Sequence, residues 1–550
     1  MCSSCFGGLT SGLAIADSNS FGVSSRLTPS LFSAYIDAKE KEMETLNNVI
    51  NWLASSQFGV WGWPTIILIL ATGIFLTVRM RALQVRKFGH MLGVTIVPTV
   101  KSIGKTKKAD TVKSISQFEA FSAAISGTVG TGNIIGVTSA ILTGGPGAVF
   151  WMWISAFFGM LTNYAENVLG LYYRRKDDEG NLSGGPMYYI THGLGLKWLG
   201  YIAAAFCAVA AISMSSVQTN KITGTISSAV GNDDLWLKLL IGSIIAFVVG
   251  LILIGGIKRI GRVASILVPF MTMLFFIMAI VIIAINITML PGAFALIFKH
   301  AFNFGSAAGG IFGYATADII RKGMARGVFS NEAGLGSSVI AHSASETREP
   351  VKQGLWGVFE VFLDTFVVCT LAALVILTSY NLDSFTGAES DTEIALGAFS
   401  GAFGTFGTVV FSVILPVFAF TTILAWAYYG EKSAEFLAQR TGEKGKKIAV
   451  LVFKVVYVAL IVVAAVMTSE LVWNISDISN ALMAFPNLVA VIGLSGVVVK
   501  VTNNYFRRAK GEKIEPMLSA YPELNTEFSA ELDKEEQNTQ SEESDCIAVK

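Results

Sequence analysis

Apolar runs of about 20 residues recur along the whole chain, separated by short polar stretches, and each is long enough to cross the hydrocarbon core of a bilayer as a helix. About eleven spans are predicted, near 61–80, 118–142, 147–172, 197–217, 235–255, 263–287, 304–322, 354–378, 405–428, 447–467 and 479–500. The seventh is interrupted by Gly305, Gly309, Gly310 and Gly313 and is ended early by Arg321 and Lys322. The pattern specifies an all-α polytopic membrane protein.

The second span breaks the pattern at its own centre. It reads Ser-Gly-Thr-Val-Gly-Thr-Gly-Asn over Ser126 to Asn133, and Gly-Gly-Pro-Gly follows it at Gly144 to Gly147. Unwound backbone at that depth is tolerated only where it faces protein or a polar cavity, and its freed groups are then open to a ligand. A half-helix N-terminus suits a carboxylate, while freed carbonyls and hydroxyls suit a hard cation such as sodium. Thr128, Thr131, Gly132 and Asn133 supply such groups. Glycines also serve close helix packing, but packing alone does not call for threonines between them and an asparagine after them. In the span 405–428, Pro416 predicts a kink, and Thr421, Thr422 and Trp426 follow it. Thr422 and Trp426 share a helix face. Set opposite a broken helix, they would complete an oxygen cage with the indole as lid.

Composition changes the picture little: 53% of the 550 residues are hydrophobic, 14% are charged and the net charge is +1, as expected of a protein whose main partner is the lipid bilayer. No nucleic-acid partner is expected. The distribution of charge says more, because basic loops stay in the cytoplasm. Arg79 to Lys113 holds nine Lys and Arg; Arg174–Lys176, Lys258–Arg262, Arg321–Arg326, Lys432–Lys447 and Lys500–Lys513 fall on the same side of an eleven-span layout, whereas Ser379–Gly404 and Thr468–Ser479 hold none. This predicts a multi-pass protein of the plasma (inner) membrane with its N-terminus outside and its C-terminus in the cytoplasm. Residues 1–43 read as a flexible extension rather than a signal peptide, 44–510 as the membrane domain and 511–550 as an acidic, disordered tail. Cys2 and Cys5 form a CxxC without a second pair, Cys207 and Cys369 sit in apolar spans, and Cys546 misses a prenylation spacing by one residue.

Glu166, Glu360 and Asp364 lie within spans and are candidates for a transport role or for pairing with loop arginines. Glu332 reads as part of a cytoplasmic turn. His90, His192, His300 and His342 are far apart and form no catalytic motif, so an enzyme is not expected, nor any cofactor beyond a transported sodium ion. A channel filter would use glycine-rich backbone too, but such filters usually come from several subunits.

The stretches Gly127 to Val137, Gly144 to Trp153 and Arg326 to Ser337 resemble the alanine or glycine:cation symporter family, and the similarity runs over roughly 44–510. It implies one extra helix followed by a five-plus-five inverted repeat with broken helices, the second break falling in the Gly-interrupted span at 304–322. It implies symport of a small neutral amino acid, alanine or glycine, with sodium, a proton being the alternative ion. By the same resemblance, Thr131, Gly132, Asn133, Gln218, Thr422 and Trp426 would line the substrate pocket. The cation groups expected are Thr128, Gly130, Asn133, Thr421 and Thr422.

Overall fold

The computed structural model describes residues 45, 48–54, 59–102, 115–177, 180–302, 310–380 and 390–532, apart from the side chains of 100–102 and 310–316. The expectations for 1–43, for Gly305 and Gly309, and for 533–550 with Cys546 lie outside the described residues. Two units divide the chain: Met1–Asn51, whose few described residues are helical, and Trp52–Lys550, which carries everything below.

The main helices are α1 (Trp63–Arg79), α2 (Gln117–Thr128), α3 (Ile135–Gly144), α4 (Ala148–Tyr172), α5 (Lys197–Val230), α6 (Leu235–Leu253), α7 (Gly256–Ile285), α8 (Leu290–Ala301), α9 (Gly310–Asn331), α10 (Pro350–Ser379), α11 (Asp391–Phe403), α12 (Thr405–Leu437), α13 (Gly442–Ala464), α14 (Ser469–Gly493) and α15 (Ser495–Arg508). Among the described residues, eight helices are long and apolar enough to cross a membrane, and nine if α2 and α3 are one bent span. The remaining two expected spans are helices as well: α1 is apolar but only 17 residues long, and α9 is the most polar of the series.

The order reads as α1, then five spans from α2/α3 to α7, then five from α9 to α14. A rim helix, α8, precedes the second five and another, α11, lies within it. Exposed Ile244, Phe247, Phe270 and Val455 on α6, α7 and α13 form the lipid-facing perimeter, whereas α4, α5, α10 and α12 are largely buried. Since successive spans alternate direction, the α4–α5, α6–α7, α12–α13 and post-α14 connections share one end, which holds Arg174–Lys176, Lys258–Arg262, Lys432–Lys447 and Lys500–Lys513. We call it the basic end.

Four expectations need correction. Among the described residues the second repeat breaks not at Gly313 but after Asn331: α9 is unbroken from Gly310 to Asn331 and the chain leaves the helix at Glu332. There Gly334 and Gly336 take φ of 97° and 75°, a region that glycine enters without the clash a Cβ brings. Arg321 and Arg326 consequently lie inside α9 rather than in a basic loop. The last span runs Ser469–Gly493, so 468–479 is mostly helix, and the 379–404 connection contains α11. Residues 516–532 are packed rather than disordered: a helix over 522–532 buries Phe528, with Leu518, against Leu182. The tail is polar on average, but its few apolar positions recur on one face.

Candidate functional site

α2 starts at a reciprocal cap: Glu119 N–H donates to Ser116 Oγ, and Ser116 N–H to the Glu119 carboxylate. It stops at Thr128 because Gly130 is extended (φ −141°, ψ −150°), and after a single 3-10 turn, Thr131–Asn133, α3 leaves at 57° to α2. Freed donors and acceptors of the break are taken up by side chains. Gly130 N–H donates to Asn133 Oδ1 at 2.9 Å. Thr131 gives both its N–H (3.2 Å) and its hydroxyl (2.8 Å) to Gln218 Oε1 of α5. Asn133 Nδ2 donates to Asp364 Oδ1.

Asp364 belongs to a π-helical stretch of α10, Phe362–Cys369, a widening of the helix that is frequent at functional sites. Its second oxygen accepts from Ser330 Oγ and Thr365 Oγ1, both at 2.9 Å. Ser330 is in the last turn of α9, so a single carboxylate ties the first break to the start of the second. Asn133, Ser330 and Asp364 are buried, with full or near-full exclusion from solvent.

The other expected residues fall around this centre. A Cβ on Gly130 would stand 2.5 Å from Thr422 Oγ1 and 3.3 Å from Gln218 Oε1, so α12 and α5 both close on that glycine. Gly132 lies under the Phe329 ring, 3.4 Å from where its Cβ would be. Thr422 and Thr421 donate to the Phe418 carbonyl, and Thr128 to that of Ile125, so these hydroxyls back-bond to their own helices. Trp426 is fully buried but belongs to a neighbouring group: its ring meets Tyr429 edge-on at 5.4 Å, and its Nε1, like Glu332 Oε1, is buried without a hydrogen-bond partner. It stands by the second break, toward the basic end, and Phe329 is the aromatic wall over the first.

Several residues here were not legible as site residues. Phe329 packs on Trp473 of α14 at 4.6 Å, and Arg326 lies 4.2 Å from the Trp473 ring while reaching both oxygens of Asp477 at 3.3 Å. This cover on the side away from the basic end depends on α9 passing Lys322 as helix. A lone Arg and a lone Asp in helices give no sequence signal of their pairing. On the basic end, a cavity of about 660 Å³ opens between α7, α12 and α13, walled by Ile115 and Ala344 and lined by Lys258, Glu431, Lys432 and Lys454. Among the described residues no group of three or more metal-ligating side chains is found.

Residues 43–519 match the sodium:alanine symporter family. The sodium/alanine symporter AgcS of Methanococcus maripaludis is 42% identical over 460 residues, covering 82% of this chain and 96% of that protein. The probable sodium/glutamine symporter GlnT of Bacillus subtilis is 37% identical over 456 residues, covering 82% and 90%. Among solved structures, the crystal structure of MhsT in complex with L-phenylalanine has a TM-score of 0.51 at 15% identity, over 73% of this chain and 92% of that one, a likeness of fold. With two broken helices meeting at the centre of a polytopic helical membrane fold, and with a family match over nearly all of that fold, the chain is a multi-pass membrane transporter rather than an enzyme, and it belongs to the sodium:alanine symporter family.

Proposed function

We propose that this chain carries a small neutral amino acid, alanine or glycine, into the cell together with sodium, opening the central site alternately to the two sides of the plasma membrane. The observation that carries this reading is the pair of donors at Thr131. Its N–H and hydroxyl converge on one acceptor oxygen, that of Gln218, and a substrate carboxylate presents the same kind of acceptor with a full charge, which strengthens such bonds about twofold. Gln218 swings aside as the carboxylate arrives, and Gly132 and the α3 N-terminus add backbone N–H groups.

Sodium binds beside this carboxylate. Asn133 and the Gly130 carbonyl supply oxygens, and Asp364 supplies the negative charge that makes entry of a cation favourable at this depth. Thr421, Thr422 and Thr128 provide further oxygens once their hydroxyls turn from their own helices. Short side chains are selected because Gly130 and Gly132 are closed over by Thr422 and Phe329. Release is toward the basic end through the cavity that begins at Tyr428, with the C-terminus cytoplasmic.

The test is accumulation of labelled alanine or glycine by proteoliposomes under an inward sodium gradient. Equal uptake with choline replacing sodium at constant pH refutes sodium coupling. Uptake that instead collapses with a proton gradient moves the assignment to protons.

A further inference from the structure

One turn before Asp364, α10 carries Glu360, which the site above leaves unused. His342 Nε2 lies 2.9 Å from Glu360 Oε2, and both side chains are completely buried. Asn163 of α4 donates to the same oxygen at 3.3 Å. On the far side of the imidazole, the Gln353 amide nitrogen meets Nδ1. Gln353 Oε1 and Glu360 Oε1 are both buried without a partner.

Proton bookkeeping shows what this arrangement lacks. With the imidazole neutral and its proton on Nε2, His342 donates to Glu360 and accepts from Gln353. This leaves a full carboxylate charge in the interior and a buried amide oxygen with nothing to accept. Each is costly. Add one proton and two placements are possible. Either His342 becomes an imidazolium against the Glu360 carboxylate, or Glu360 becomes an acid donating to Nε2 while the imidazole proton sits on Nδ1. In both, Nδ1 carries N–H. The Gln353 amide, whose two ends have the same shape, then reverses in place and its oxygen accepts that N–H. A single proton removes the net charge and gives the amide oxygen a donor, while the amide NH2 takes the unpartnered place that the oxygen leaves.

We propose that the His342–Glu360 pair is a proton-binding site, with Gln353 as the amide that reads its occupancy. Other buried titratable groups within reach of Glu360 are Glu332 at the second break, Glu166 on α4, Asp364 on α10 and Tyr429 on α12. Arg174, just past the end of α4, is engaged with the carbonyls of Ser343, Ser345 and Thr347, beginning one residue after His342, and Lys352 precedes Gln353 on α10. His342 ends the one-turn helix Val339–His342 after the second break, and Ser345 next to it bridges to Ile115 ahead of α2. The proton therefore exchanges when this segment parts from α10 at the basic end. Its bearing on ion coupling rests on the transporter reading above, whereas proton binding itself does not.

The chain has four histidines, which makes nitrogen-15 histidine spectra of the full-length protein in lipid nanodiscs assignable by His342→Gln. As the pH is lowered, one imidazole passes from singly to doubly protonated nitrogens, or to the Nδ1–H tautomer, and that signal is absent in His342→Gln. Glu360→Gln moves its midpoint down by roughly a pH unit or more, and Gln353→Glu moves it up. An Nε2–H imidazole unchanged over the whole range, or a midpoint indifferent to both substitutions, overturns the proposal. Should His342→Gln fail to fold, the opposite shifts of the other two variants carry the test. Sodium-driven alanine uptake is measured on the same preparation; its absence beside an intact His342 titration counts against the transporter reading and not against the proton site.

Discussion

Gly130→Ala probes the tightest point of the first break. The backbone at Gly130 is extended, a conformation alanine also adopts, so the substitution acts through space alone. The new Cβ stands 2.5 Å from Thr422 Oγ1, inside the 3.0 Å below which real Cβ contacts essentially do not occur. Two escapes are open. Thr422 can rotate, losing its 3.1 Å bond to Phe418 at a cost of about 0.5–1.5 kcal/mol, or α12 can shift from the break, an overpacking cost of about 1–3 kcal/mol. Gly130→Ala alone is therefore expected to lose about 1–3 kcal/mol of stability. Thr422→Ala removes the opposing oxygen, so Gly130→Ala made in that background is nearly neutral. The contact at 3.3 Å to the flexible Gln218 amide yields easily. Apparent melting temperatures of the four proteins of this cycle, with alanine binding by scintillation proximity, read the coupling as about 1–3 kcal/mol. Effects that add to within about 0.5 kcal/mol, or an unchanged single variant, refute the packing described here.

Further outcomes follow from neighbouring contacts. Asn133→Asp sets a second carboxylate against Asp364 and abolishes sodium-dependent binding, and adding Asp364→Asn, which restores one charge to the pair, returns part of it; a double variant as dead as the single one argues against shared ion binding. Phe329→Ala admits larger neutral amino acids as competitors, since each methylene in an apolar pocket is worth about 1–3 kcal/mol, whereas Trp426→Ala weakens closure with less change in size preference; superimposable competition profiles for Phe329→Ala and wild type exclude Phe329 as the wall. Burial, with Arg175 and Lys197 nearby, depresses His192 from 6.5 to about 4. The unfolded group thus binds more protons between these values, and the contribution is present above pH 6.5 and lost as pH falls toward 4. Because His192 stacks edge-on to Tyr521, protease cleavage within 516–532 rises on acidification, and His192→Gln flattens that rise.

Much of this fold was legible because a membrane leaves few choices: spans had to be apolar and about 20 residues long, and the break at Gly130 announced itself by three glycines among hydroxyl residues. The second break was misplaced for an instructive reason. Gly310 and Gly313 stay helical, while Glu332 takes φ of 56° beside two glycines, so glycine count alone did not locate the unwinding. Trp426 is expected in the pocket by resemblance and shares a helix face with Thr422, but its edge-on contact with Tyr429 was not legible, since a helical face does not say which neighbour occupies it. Asp364 stood out as an intramembrane acid, but two of its three donors, Asn133 and Ser330, come from distant stretches of chain, and no local spacing reports them. Arg326 and Asp477, 151 residues apart, are illegible for the same reason.

The segment 516–532 bears on how the molecule is made. Its partners, Tyr172, Tyr173, Arg174 and Leu182, precede it by nearly 350 residues: Tyr521, for example, reaches the Tyr173 carbonyl across 348 positions. Arg174 and Arg348 both lie on the Phe528 ring, at 5.2 and 4.9 Å, and Arg348 also pairs with Glu531. During synthesis the α4–α5 connection therefore waits, with Arg174 uncovered, until every membrane helix has been inserted and this segment emerges. Docking of Phe528 occurs only on a chain whose two repeats have already met, so a cell that degrades proteins by their exposed ends would find the segment accessible in misassembled copies and hidden in finished ones.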